Sequence, residues 1–102
     1  PANVEWARDL ALATELLAEI SWDRGEFDQA RQHSLGAIER LETLIVADRD
    51  NSLLRRDLAN MHQRVADHLE EHDELEGAER HRQRARQLLP ESADGSNEPG
   101  GE

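Results

Sequence analysis

Residues 1–42 laid over residues 49–90 repeat one pattern, and this internal duplication limits the possible folds more than any other feature of the chain. The register returns Asn3 at Asn51, Arg8 at Arg56, Asp9 at Asp57, Leu10 at Leu58, Ala11 at Ala59, Ala18 at Ala66, Glu26 at Glu74, Ala30 at Ala78, His33 at His81 and Ala37 at Ala85. Repetition at a fixed offset of 48 residues means that each copy is one supersecondary unit. From Leu17 to Ala37 that unit reads as a helix, a tight turn and a second helix folded back on the first. Leu17 and Ala18 are expected on the inner face, Gly25 at the break, and Phe27, Ala30 and Ala37 on one side of the returning helix. Two antiparallel helices approach closely only where one offers Ala or Gly to the other's bulk. Val65, Ala66, Asp73, Leu75, Ala78 and Ala85 restate the pattern in the second copy.

The spacing of apolar residues predicts an all-α chain of four helices, near 4–24, 26–47, 52–72 and 74–89. Trp6, Leu10, Ala13, Leu17 and Ile20 form the expected packing stripe of the first, and Leu54, Leu58, Met61, Val65 and Leu69 that of the third. Val4, Leu12 and Leu16 add a second apolar face to the first helix with nothing before it to cover them, which points to a missing preceding repeat or to a self-association surface. The fourth helix is almost wholly polar, with Arg80, Arg82, Arg84 and Arg86, and suits the closing end of an array. Asn3 reads as an N-cap, Leu89-Pro90 ends the last helix, and residues 90–102 are expected to be a disordered acidic tail rich in Gly, Ser and Pro. With Pro1-Ala2-Asn3 at the start, residues 1–89 are read as two hairpins, 3–48 and 51–89, from the C-terminal end of a longer array.

A formal charge of −11 disfavours nucleic acid, whose binding is driven by counterion release onto Lys and Arg. The absence of Cys leaves no thiolate metal site or disulfide, and no apolar run reaches the roughly 20 residues of a membrane span, so a cytoplasmic protein is expected. His68-Leu69-Glu70-Glu71-His72 fits the literal H-x-x-E-H zinc pattern, with two His one turn apart. A third ligand from well downstream is hard to find in the residues that remain, so no metal, cofactor or catalytic residue is expected.

The hairpins resemble tetratricopeptide repeats, on Leu17-Ala18, Gly25-Glu26-Phe27, Ala30 and Ala37 in one unit and Val65-Ala66, Leu69, Leu75, Ala78, Ala85 and Pro90 in the other. The family's usual repeat is shorter, and the longer period here is similar to that of long-helix bacterial arrays. Seven extra residues per helix, about two turns, nearly preserve the buried face. The resemblance implies hairpins stacked as an α-solenoid, with a concave groove lined by the first helix of each. On the matching positions lie Leu12, Glu15, Glu19, Trp22 and Asp23, then Asn60, Gln63, Asp67, Glu70 and Glu71. Such a groove is acidic, and the expected occupant is a basic peptide or helix, with Trp22 either an aromatic anchor or packed on a neighbouring helix. The competing expectation is a homodimer formed through the second face of the first helix.

Overall fold

The computed structural model describes residues 4–89; Asn3, Pro90 and the tail lie outside the described residues. Among those residues there are four helices and no strand: α1 (Val4–Asp23), α2 (Phe27–Ala47), α3 (Ser52–Glu71) and α4 (Leu75–Leu88). The expected boundaries stand to within about two residues, inside the usual fraying of helix ends.

The two hairpin turns are the same motif built twice. The Glu26 amide donates to the Ser21 carbonyl (2.9 Å) and that of Gly25 to Trp22 (3.1 Å); 48 residues on, Glu74 donates to Leu69 (2.8 Å) and Asp73 to Glu70 (3.0 Å). This is the Schellman pattern, in which the residue after the C-cap turns left-handed to satisfy carbonyls the helix leaves open. Gly25 takes that conformation with φ 78° without a Cβ to clash, whereas Asp73 takes it with φ 63° at a steric cost. Between the hairpins, Asn51 caps α3: its Oδ1 accepts from the Leu54 amide at 3.1 Å while its Nδ2 donates to Asp48.

Small residues close the hairpins. Ala11, Ala18, Ala30, Ala37, Ala59, Ala66, Ala78 and Ala85 are all sealed from solvent, and the packing of α1 on α2 and of α3 on α4 is the most extensive in the molecule. α2 also packs on α3, and α1 touches α3, but α1 and α4 do not meet among the described residues. A closed up-and-down bundle places its first helix beside its fourth; here the helices form an open layer, 43 × 39 × 18 Å in extent.

Burial corrects the expected face of α1. Ala11, Glu15, Ala18, Ser21 and Trp22 point inward, while Leu17 is 50 % exposed, Ile20 52 % and Trp6 65 %. The bulky stripe is on the outside because the crossing with α2 admits only small residues at its centre. Val4 and Leu12, expected bare, are partly covered and pack against the core; Leu16 of that set stays exposed. Phe27 and Leu75, which open the returning helices, are also exposed rather than interior. In α3 the stripe is buried as expected, with Leu54 and Leu58 fully covered.

Two measurements test this arrangement. Leu54→Ala should lower the unfolding free energy by about 2–5 kcal/mol, and Leu17→Ala by less than about 1 kcal/mol, since only the first opens a cavity. Asp73→Gly should raise stability by up to about 1 kcal/mol by relieving the left-handed backbone, read from urea unfolding midpoints.

Candidate functional site

α1 and α3 run side by side in the same direction, joined by three polar rungs. Arg8 Nε donates to Asp57 Oδ2 at 2.5 Å, Arg64 Nη1 to Glu15 Oε2 at 2.6 Å, and His68 Nε2 lies 3.2 Å from Glu19 Oε1. Each rung joins residues 49 apart, one more than the repeat period, so two successive first helices lie in a common register.

These rungs engage part of the acidic groove that the resemblance implies. Glu15 is buried against Arg64, and Glu19 is half-buried facing His68. Asp67 and Glu70 are exposed, but both accept from Arg82 of α4, at 3.0 and 2.6 Å. Leu12 is half-buried against the core. Asp23, Asn60, Gln63 and Glu71 lie exposed, Glu71 with its carboxylate 3.8 Å from His68 Nδ1. Neither the rungs nor the Arg82 clamp was anticipated, although the rungs carry a sequence signal: complementary charges recur at the period plus one.

Trp22 is buried and belongs to an aromatic cluster at the turn end of the molecule, which removes it as an open anchor. Its ring stacks on His68 with centroids 4.5 Å apart and lies 5.8 Å from His72, and Phe27 closes on His72 at 4.1 Å. Its indole N–H finds no acceptor among the described residues. The two His of the zinc-like string are therefore held against aromatic rings, and among the described residues no three His, Asp or Glu side chains gather as metal ligands.

A second polar cluster sits between α2, α3 and α4. His62 Nδ1 and His81 Nδ1 are 2.8 Å apart, so one ring donates and the other accepts. Arg84 reaches Glu42 through two bonds, Nε to Oε2 at 3.0 Å and Nη2 to Oε1 at 2.7 Å, and His62 Nε2 lies 3.7 Å from the same carboxylate. The Arg84 bonds hold the Glu42 carboxyl below its ordinary range. Burial, then the neighbouring His81, pushes His62 down to about 4, with Glu42 pulling up and Arg84 down; burial, then Arg80, also lowers His81.

No model of a protein family, no curated protein and no solved structure matches the chain. The geometry thus defines a class only by its architecture: two like helical hairpins whose first helices are laid side by side.

The buried His pair sets a pH dependence. Unfolded, His62 titrates near 6.5; folded, near 4, so the unfolded chain holds the extra proton between these values. Stability should be level above about pH 7 and fall as pH drops from 6.5 towards 4, by roughly 3 kcal/mol at most for this group. Glu42 adds a further loss at lower pH as its ion pair is protonated away. Urea unfolding across this range should show the fall, and replacing both His62 and His81 by Leu should flatten it between pH 6.5 and 5.

Proposed function

We propose that the chain is a non-catalytic, protein-binding helical-repeat module of the tetratricopeptide type, stacked as a short α-solenoid and working in the cytoplasm. It holds a partner peptide or helix of basic character on the surface formed by α1 and α3. The observation that carries this reading is the set of rungs Arg8–Asp57, Glu15–Arg64 and Glu19–His68. A constant offset beside the repeat period is what translation of one hairpin onto the next produces, and it makes a continuous surface from successive first helices. Further support comes from α1 meeting α3 and not α4, the reverse of a closed bundle. No described helix is long and apolar enough to cross a membrane. The titratable groups of this surface are largely engaged in ion pairs and ring stacking, which favours recognition over acid–base chemistry.

The charge available to a partner rests on Asp23 and Glu71, with Asn60 and Gln63 as hydrogen-bonding groups, on a chain of net charge −11. A labelled Arg/Ala-rich helical peptide should bind at least about tenfold more tightly than its Glu/Ala counterpart at low salt, the two converging as ionic strength rises. Asp23→Arg combined with Glu71→Arg should abolish the preference in fluorescence anisotropy. Equal affinity for both peptides, or indifference to the double reversal, would overturn the basic-partner reading.

A further inference from the structure

The outward face of α1 is the counterpart of a face that α3 keeps sealed. Adding the repeat period to Trp6, Leu10, Ala13 and Leu17 gives Leu54, Leu58, Met61 and Val65, each buried. α3 is packed between helices, against α2 of the preceding hairpin and α4 of its own, whereas among the described residues α1 packs on its own α2 and only touches α3. Trp6, Leu17 and Ile20, with Leu16 beside them, are consequently half or more exposed. The stripe from Trp6 to Ile20 is about 21 Å long, and its bare apolar area, roughly 400–500 Å², lies within the range of the largest patches found on monomeric proteins, which are often functional.

The existing contact between α2 and α3 indicates what fits such a face. There α2 brings Ser34 and Leu35 to a small cleft shared with Val65 and Leu69, while Arg31 forms an ion pair with Glu74, the residue that leads into α4. Ile38 and Leu41 continue the buried side of α2. The counterpart of Glu74 is Glu26, exposed and, among the described residues, opposed only by its near neighbour Arg24 at 3.4 Å. We propose that the Trp6–Leu10–Leu17–Ile20 face of α1 docks an amphipathic helix of α2's own chemistry. That helix carries small and aliphatic residues at helical spacing and an Arg or Lys, one turn from its start, that reaches Glu26.

A second copy of the chain does not supply this helix. Its outer helix, α4, carries Gln83 and Arg86 where α2 carries Leu35 and Ile38. Setting α1 against α1 would oppose two chains of net charge −11 across a stripe bordered by Asp9. The face lies on the opposite side of α1 from Arg8, Glu15 and Glu19, so it stands independently of the basic-partner surface.

The test is the full chain with a copy of residues 27–48 fused ahead of Pro1, which sets that helix before α1 in the register by which α2 precedes α3. Because Trp22 is already buried, acrylamide quenching of the accessible tryptophan reports Trp6. The extension should reduce that quenching severalfold and raise the melting temperature. Leu17→Glu should leave the parent chain nearly unchanged and cancel both effects in the extended one. Unaltered quenching in the extended chain, or protection that survives Leu17→Glu, would overturn the proposal. So would a concentration-independent dimer of the parent chain, by light scattering, that Leu17→Glu dissociates, since a second copy would then be the occupant.

Discussion

Close approach of helices through alanine is the constraint on which the structure depends. With Ala18, Ala30 and Ala37 sealed in one hairpin and Ala66, Ala78 and Ala85 in the other, each pair of axes can come near enough for a tight connection to join them. The paired Schellman turns follow from that separation. Small contact residues bury little apolar area of their own, so the larger side chains must find cover from a third helix. α3 finds it, and with Leu69 its Leu54, Leu58, Met61 and Val65 make most of the buried aliphatic side chains larger than Ala. The same geometry leaves Trp6, Leu16, Leu17 and Ile20 of α1 outside.

The α2–α3 packing and a set of ion pairs between α1 and α3 together fix how one hairpin sits on the next. The α1–α3 contact is small, and beside the stacking of Trp22 on His68 it consists of Arg8, Glu15 and Glu19 meeting Asp57, Arg64 and His68. Exposed ion pairs add little each, but Glu15 and Asp57 are largely desolvated, and misregister by one turn would leave these carboxylates without cations. The same pairing makes the α1–α3 surface less acidic than the composition suggests: Arg64 is committed to Glu15, and Arg82 to Asp67 and Glu70.

Helix positions were legible in the sequence because Gly25, Asp73 and Asn51 act locally, through a left-handed residue or a capping side chain. The inward direction of Ala18, Ala30, Ala66, Ala78 and Ala85 was legible as well, since the duplication singled them out. The inward face of α1 was not. Trp6, Leu10, Leu17 and Ile20 make a regular apolar stripe, and periodicity alone cannot say whether a stripe has a neighbour. Trp22 was ambiguous for a related reason: only the tertiary register brings His68 beneath its ring. The His62–His81 contact was hidden because its members lie 19 residues apart on two helices, and the repeat gives His81 a His counterpart in His33 but places Thr14 opposite His62.

The two ends of the helical layer therefore differ in kind although they derive from one pattern. At α4, Gln83 and Arg86 replace the Leu35 and Ile38 of α2, so solvent meets a polar face. At α1 the apolar residues of the repeat are retained in Trp6 and Leu17 where solvent meets them, with Leu10 between them half-buried. Identical copies would leave an apolar face at both ends, and a self-contained pair would be polar at both. Polar at one end and apolar at the other, the described helical layer has a polarity that its internal repetition alone would not confer.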